Sequence, residues 1–587
     1  MGFDYLLVHV TYNIPLAGLL TLVYWPFMTR LDWQKISTLV IISLVATIPW
    51  DSYLVRHCIW TYAPNGVTGW TLYDIPLEEV FFFIIQTYNT SLVYLILTRR
   101  LVLPTYLGTV ARKETLTGTL ILLLAIVIGL IALHFGEHFT YLGLIITWAG
   151  PFLLIQWLFS SGFVMAFPRM ELLASVALPT LFLWIVDTIS INQGTWTVEA
   201  PTKLGIQLWS GMDIEEILFF LITNIMIVFG LVCIDYAIAM ATCELAQSPE
   251  VVQRFPSYFR VLAQFVTNKY HPDKRFVTNL GKAVERLATS SQSMYIGSAM
   301  FQGPLRIDLI LLYSFFRVAD DLVDEAQDTE SARRVIEQCD QLLEAKFSHP
   351  DLFPFSPSSK EAKHSAPSEL IVAIDSLPVS RLRLEHLQGL LEGFRTDLSF
   401  SAKSGSFPFV AESDLDTYSY HVASTVAASM LGLVVHHFPD HQFAVNVFLR
   451  RRVVDAGERM AQALQYVNVA RDIARDAAIN RVYLPTMWLE QQGLGPADVL
   501  ASPTDVRLEL VRDRVLDSAD FLSTPAREEI KFLPKEVQGP FLATVDSYLE
   551  IGVALRRGMR PRTQGDKLRL PIGTRLWVVY RAMALRQ

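Results

Sequence analysis

Seven apolar spans in the first 240 residues constrain this chain more than any other feature. They cover roughly residues 5–28, 36–54, 75–97, 116–135, 139–159, 172–191 and 214–238. A helix needs about 20 apolar residues to cross the hydrocarbon core of a membrane. The fourth span meets that length without a single Asp, Glu, Lys or Arg. The others carry polar residues, and any one alone fits a buried core helix. Seven in succession predict a multi-pass membrane domain over residues 1–240. The overall apolar fraction of 52% is concentrated there, and the remainder has the charge density of a soluble helical protein.

The loops predict an orientation. One side receives Arg30, Lys35, Arg99, Arg100, Arg112, Lys113 and Arg169, the other only Arg56 and Lys203. Lys and Arg accumulate in cytoplasmic loops. The basic side, and everything after span seven, is therefore expected in the cytosol. No signal picks the organelle, and the endoplasmic reticulum is the working choice. The N-terminus lacks a basic n-region and a small-residue cleavage site. A net charge of −8 without a long basic run argues against a nucleic-acid partner. Cys58, Cys233, Cys243 and Cys339 are scattered, with no CxxC pair, and are expected as free thiols with no zinc site.

The membrane half repeats itself. Pro15, Asp51 and Trp60 recur 136 residues later as Pro151, Asp187 and Trp196. PLEEVFFFIIQT recurs 137 residues later as DIEEILFFLITN. Two three-helix repeats, about 1–98 and 139–240, follow, with span four as connector. Four crossings separate their starts, so both enter from the same side. A pseudo-twofold along the membrane normal is the expected relation. After a linker at 241–258, amphipathic helical patterns fill 259–587. A Pro- and Ser-rich stretch at 349–369 reads as a disordered insertion.

The clearest chemistry lies in the soluble half. In LLYSFFRVADDLVDEA, Asp320 and Asp324 are four apart, on one helix face, with Asp321 between them. In QYVNVARDIARDAAINRVYLP, Asp472 and Asp476 repeat that spacing. Facing helices of this kind line a cavity with carboxylates, and Mg²⁺ takes oxygen ligands shared between carboxylates and substrate phosphates. Solvated faces with i,i+4 charge pairs are the plainer alternative. Tyr313, Phe315, Phe316 and Tyr466 beside the acids favour a cavity.

These stretches resemble the aspartate-rich motifs of phytoene and squalene synthases, over roughly residues 260–580. SQSMYIGSAMFQGPLRIDL, starting with Ser293 and Tyr295, TYSYHVASTVAASMLG with Tyr418, and EGFRTDL with Asp397 resemble further family segments in order. The resemblance implies an all-helical isoprenoid synthase domain that joins two prenyl diphosphates head to head. It implies Mg²⁺, with Mn²⁺ as alternative, on Asp320, Asp321, Asp324, Asp472 and Asp476. It places Ser293, Tyr295, Tyr313, Asp397, Tyr418 and Asn468 at the substrate. Arg306, Arg317, Arg471 and Arg481 suit diphosphate, since guanidinium matches phosphate bidentately. The family usually has Glu before the last aspartate of the second motif, where this chain has Arg475, which leaves the number of metal ions open. NRVYLP and the lack of a C-terminal anchor favour the phytoene branch, which needs no NADPH.

In the membrane half, Glu78–Glu79 and Glu215–Glu216 open spans three and seven. Ionisable groups in a membrane are costly and are functional candidates. Negative charge at a helix N-terminus is the plainer alternative, and the duplication weighs against it. The two blocks resemble those of the membrane-type lycopene cyclases, and the domain order resembles the bifunctional fungal carotenoid enzymes. The resemblance implies acid-catalysed ring closure, with these four glutamates as candidate acids. The acid must carry its proton near neutral pH, as a paired carboxyl in a low-dielectric setting does. Trp60 and Trp196 are candidates for stabilising the cation, although interfacial belt residues are the simpler reading. No signature decides for or against a flavin. The expected partners are geranylgeranyl diphosphate, linear carotenes, membrane lipid and a carotene desaturase. The competing reading is a squalene-synthase-like prenyl transferase with a passive or transporter-like membrane domain.

Overall fold

The computed structural model describes the chain except residues 1, 64–65, 109–111, 210, 248–256, 268–271, 354–365, 401–404, 561–567 and 586–587. It divides into two compact units. One comprises Met1–Glu244 with Pro256–Val277, the other Leu245–Phe255 with Thr278–Gln587.

The amino-terminal unit holds seven helices long and apolar enough to cross a membrane: Asp4–Phe27, Arg30–Arg56, Leu77–Thr98, Lys113–Phe135, Glu137–Ala166, Arg169–Asn192 and Ile214–Gln247. Their ends carry the expected stop and start chemistry. Thr29 and Asp32 form a reciprocal capping box that starts Arg30–Arg56. The first span is interrupted by a π-helical turn at His9–Asn13, just before Pro15. Pro15 has no amide to close the preceding helical turn, so a local widening there is expected. The last helix continues to Gln247, through part of the segment read from sequence as a linker. Its residues Ala239, Met240, Ala241 and Cys243 are buried, and burial keeps the helix wound.

Among the described residues, paired strands occur only as three short antiparallel pairs in this unit. Two are hairpins, Thr71–Leu72 with Ile75–Pro76 and Gln207–Trp209 with Met212–Asp213, each leading into a Glu-Glu helix. The first turns through Tyr73 and Asp74, both at positive φ (53° and 70°), as a tight two-residue hairpin requires. The third joins Trp60–Tyr62 to Trp196–Val198, one strand from each half of the unit.

Lys35 and Arg99, counted above as loop cations, are inside the unit. Lys35 is 6% exposed and pairs with Asp235, whose other oxygen accepts from the Tyr94 hydroxyl at 2.6 Å. Arg99 lies 3.6 Å from Asp32. A charge removed from water needs such partners, and they lie too far apart in sequence to be read from it.

The carboxy-terminal unit is helical. One core gathers Leu312, Phe315, Leu342, Leu391 and Val434; another gathers Tyr466, Ala470, Val511 and Val515. An eighth helical segment, Glu412–His437, is long and apolar enough to span a membrane, but its Leu431, Leu433 and Val434 belong to the first core. Most of the stretch expected as a disordered insertion lies outside the described residues. Its last two positions begin the Ser368–Asp375 helix, whose Leu370 and Ile374 are buried.

Two candidate active sites

In the carboxy-terminal unit the first acidic motif ends the Gly303–Asp324 helix and the second lies on Val447–Ala478. The second helix stops at Ala478. Asn480, in the left-handed region at φ 62°, turns the chain back so that the Arg481 amide meets the Asp476 carbonyl at 2.9 Å. This turn aims Arg481 at the first motif, where Nη2 donates to Asp324 Oδ1 at 3.1 Å. Asp397 and Asp476 are the other carboxylates in its field. Arg481 thus joins the two motifs.

Each remaining motif carboxylate has its own arginine or acid neighbour. Arg317 donates to Asp320 at 3.0 Å and also holds Asp321. Arg471 forks onto both oxygens of Asp472 at 2.8 and 2.6 Å. Burial, reinforced by Asp324, raises the Asp320 carboxyl to about 6. Burial and Asp472 raise Asp476 to about 8, against the pull of Arg475 and Arg481. Among the described residues, no three carboxylates stand together as a ready metal cage.

Asp397 accepts from two phenols, Tyr483 at 2.8 Å and Tyr418 at 3.2 Å, whose rings stack 5.1 Å apart. Burial raises its carboxyl to about 6, opposed by Arg481 and the phenols. Tyr483 was not singled out from the sequence, nor was Tyr548, which faces Arg471 and Asp472 and also neighbours Tyr313. Contacts between distant segments leave no local signal, although Tyr483 lies inside NRVYLP.

The other expected residues are more dispersed. Arg306 is buried, with Nη2 3.5 Å from Ser298 Oγ. Tyr295 is half-buried on Gln292–Ser298, and the Ser293 side chain lies outside the described residues. Asn468 donates to Gln465 at 3.2 Å and leaves its Oδ1 buried without a partner. Tyr466 donates to Asp416 rather than to a motif acid.

In the amino-terminal unit the two glutamates of each pair have different surroundings. Glu78 accepts from the Thr68 amide at 2.7 Å, and Glu215 from the Leu204 amide at 2.7 Å. Both fasten the loop that precedes their helix. All four glutamates are buried, and the second of each pair meets phenols: Glu79 those of Tyr5 and Tyr62, Glu216 that of Tyr141. Glu79 Oε2 accepts from the hydroxyls of Tyr5 at 2.5 Å and Tyr62 at 3.1 Å. It lines a cavity with Tyr5, Trp60, Asp187 and Trp196. Asp187 accepts from the Trp196 indole at 3.0 Å. Trp60 and Trp196 therefore stand at the acids, not in a lipid-facing belt; Trp60 is 6% exposed. The chemistry available is proton transfer in a buried pocket lined by aromatic side chains and carboxyl groups.

Residues 287–574 match the squalene/phytoene synthase family, which gives the class of the carboxy-terminal unit. Over all 587 residues the chain is 86% identical to a bifunctional lycopene cyclase/phytoene synthase of Aspergillus oryzae, covering 100% of both chains. Proteins of the same description from Arthroderma gypseum and Leptosphaeria maculans are 46% and 45% identical, each across 95% of this chain and 96% of theirs. The chain belongs to the bifunctional lycopene cyclase/phytoene synthase family.

Proposed function

We propose that the carboxy-terminal unit condenses two geranylgeranyl diphosphates to phytoene at the Asp320–Asp324 and Asp472–Asp476 segments, and that the amino-terminal unit closes the ends of lycopene into β-rings at Glu79. The observation that carries the first half is the meeting of both acidic segments at Arg481. Arg317, Arg471 and Arg481 rest on carboxylates, and they are the fork-shaped donors that diphosphate oxygens take. Substrate exchanges these partners: the arginines turn to phosphate and the aspartates are released. The aspartates fit Mg²⁺, being hard oxygen donors with no soft ligand among them. Asp320, Asp321, Asp324, Asp472 and Asp476 would hold it, and the metal supplies charge neutralisation for the leaving diphosphate.

Loss of diphosphate from one substrate leaves an allylic cation, and the double bond of the second attacks it. Tyr418 and Tyr483 stack beside Asp397 close to Arg481, where their faces stabilise positive charge. Loss of the second diphosphate, rearrangement and loss of a proton give the C40 product without a reductant.

For ring closure the carrying observation is Glu79, fixed by two phenols and opening on a cavity with two tryptophans. A proton added to the terminal double bond makes a tertiary cation, the chain closes a six-membered ring, and a neighbouring C–H gives up a proton. Trp60 and Trp196 offer π faces to the cation. The seven apolar helices seat this unit in a membrane, with the basic loops on the cytosolic side by the Lys/Arg rule. A desaturase must act between the two reactions.

The test is expression of the full chain in a carotenoid-free host that supplies geranylgeranyl diphosphate and a desaturase, followed by chromatography. Phytoene without desaturase and ringed carotenes with it are expected. A C30 product or linear lycopene alone contradicts the corresponding half.

A further inference from the structure

The strand pair between the two halves of the amino-terminal unit fixes their relation. Thr61 faces Thr197 in the ladder, and Gln86 donates to Thr223 at 2.9 Å. The members of each pair stand at the same place in the two sequence repeats. A two-fold axis relating the repeats must pass between residues that meet their own counterparts. The surroundings of Glu79 and Glu216 can therefore be compared side chain by side chain.

Each glutamate belongs to a half-site shared by both repeats. Tyr5 comes from the same repeat as Glu79, while Trp196, 4.9 Å from the Tyr5 ring, and Asp187 come from the other. In the second half-site Tyr141 comes from the repeat of Glu216, and Trp60, 6.2 Å from the Tyr141 ring, comes from the other.

The half-sites differ at one wall. Val186 lines the cavity beside Glu79. Its counterpart, 136 residues earlier, is Trp50. The Trp50 ring lies 4.6 Å from Trp148, with planes 19° apart, and 5.7 Å from Phe219, with planes 10° apart. Phe219 in turn meets Trp60 edge-on at 5.9 Å. A stack of two indoles and a phenyl ring thus stands where the other half-site has a valine on its cavity wall. The polar groups differ as well. Tyr62 donates to Glu79, but its counterpart Val198 has no hydroxyl to offer, so fully buried Glu216 faces one phenol, Tyr141, and the Trp60 indole where Glu79 has two phenols.

We infer that the two half-sites have diverged: the one at Glu79 admits the end of a linear polyene, and the one at Glu216 is sealed by Trp50. This rests on the reading of the paired glutamates as the cyclisation site. Both ends of a two-ring product are then closed in turn at the Glu79 half-site, and Val186 sets whether a chain end fits. The Glu79 carboxyl gives its proton to the less substituted carbon of the terminal double bond, a double bond further along the chain attacks the resulting tertiary cation to form the ring C–C bond, and the ring returns a proton to the cavity carboxylates, so no co-reactant is consumed.

The test uses the full chain in a lycopene-producing host, scoring ring formation, with thermal unfolding of the detergent-purified chain reporting that the amino-terminal unit is folded. Val186→Trp is expected to cut ring formation by at least about tenfold, since displacing a reacting end by an ångström costs up to about a hundredfold. Glu79→Gln is expected to cut it by about 10² or more, the scale of a lost general acid, with a clearly smaller loss for Glu216→Gln. Equal losses in the two glutamate variants overturn the divergence while leaving the glutamates as the site. Undiminished ring formation in Glu79→Gln removes the site itself. Undiminished ring formation in Val186→Trp, with Glu79→Gln inactive, overturns the role of Val186.

Discussion

Arg481 Nη2 donates to Asp324 Oδ1 at 3.1 Å across 157 residues of sequence. This one bond ties the turn after the second acidic helix to the end of the first. The hydrogen bond that Arg481 would give to a substrate phosphate in its place is charge-assisted, of a kind worth about 1.5–3 kcal/mol, or roughly 10- to 100-fold in rate. Arg481→Ala is expected to lower phytoene formation by that factor, with a raised KM for geranylgeranyl diphosphate. Steady-state kinetics on the full chain in detergent check this. Arg481→Lys is expected to recover only part, because a point charge cannot fork onto phosphate.

Asp476 gives a pH signature in stability. An unfolded aspartate titrates at about 3.9, whereas burial and Asp472 raise the folded group to about 8. The stability associated with its protonated form is fully present below pH 4 and is lost as pH climbs through 8. Asp476→Asn removes that loss. The ligand-free variant is expected to be more resistant to denaturant than the parent at pH 9, with a smaller difference at pH 5, and to be inactive in phytoene formation at both.

The acidic segments, the seven spans and the Glu-Glu pairs were legible because each is a local pattern: spacing on one helix, or a run of apolar residues. Which glutamate of each pair meets the phenols and which holds a loop amide was not. Glu78 and Glu79 are neighbours on one helix turn, and the choice is made by the Thr68 amide, brought over by the preceding hairpin. Tyr5, Tyr62 and Tyr548 were missed for the same reason, since their partners come from remote segments. Lys35 looked like a loop cation because Asp235, its partner, is 200 residues away.

The roles of Glu78 and Glu79 separate by substitution. Gln keeps an oxygen for the Thr68 amide, so Glu78→Gln is expected to retain most ring formation. Glu78→Ala, which leaves that amide without its acceptor, is expected to reduce it severalfold. The ratio of ringed to linear carotene in a lycopene-producing host measures both.

Lys35 and Asp235 form a buried pair whose disruption is costlier than its replacement. Lys35→Ala leaves the Asp235 charge uncompensated and is expected to destabilise the amino-terminal unit by about 3–5 kcal/mol. Lys35→Met with Asp235→Leu is expected to recover most of that. Thermal unfolding in detergent, followed by tryptophan fluorescence, distinguishes the two.

Two chemistries at two separate sites in one chain is the central claim, and a double dissociation tests it most directly. Asp320→Ala and Glu79→Gln are each expressed in a host supplying geranylgeranyl diphosphate, and again in one supplying lycopene. Asp320→Ala is expected to make no phytoene yet still to ring the supplied lycopene, and Glu79→Gln to make phytoene at the parental rate yet leave lycopene linear. Loss of both activities in either variant, with the chain present in the membrane at parental level, would contradict the account.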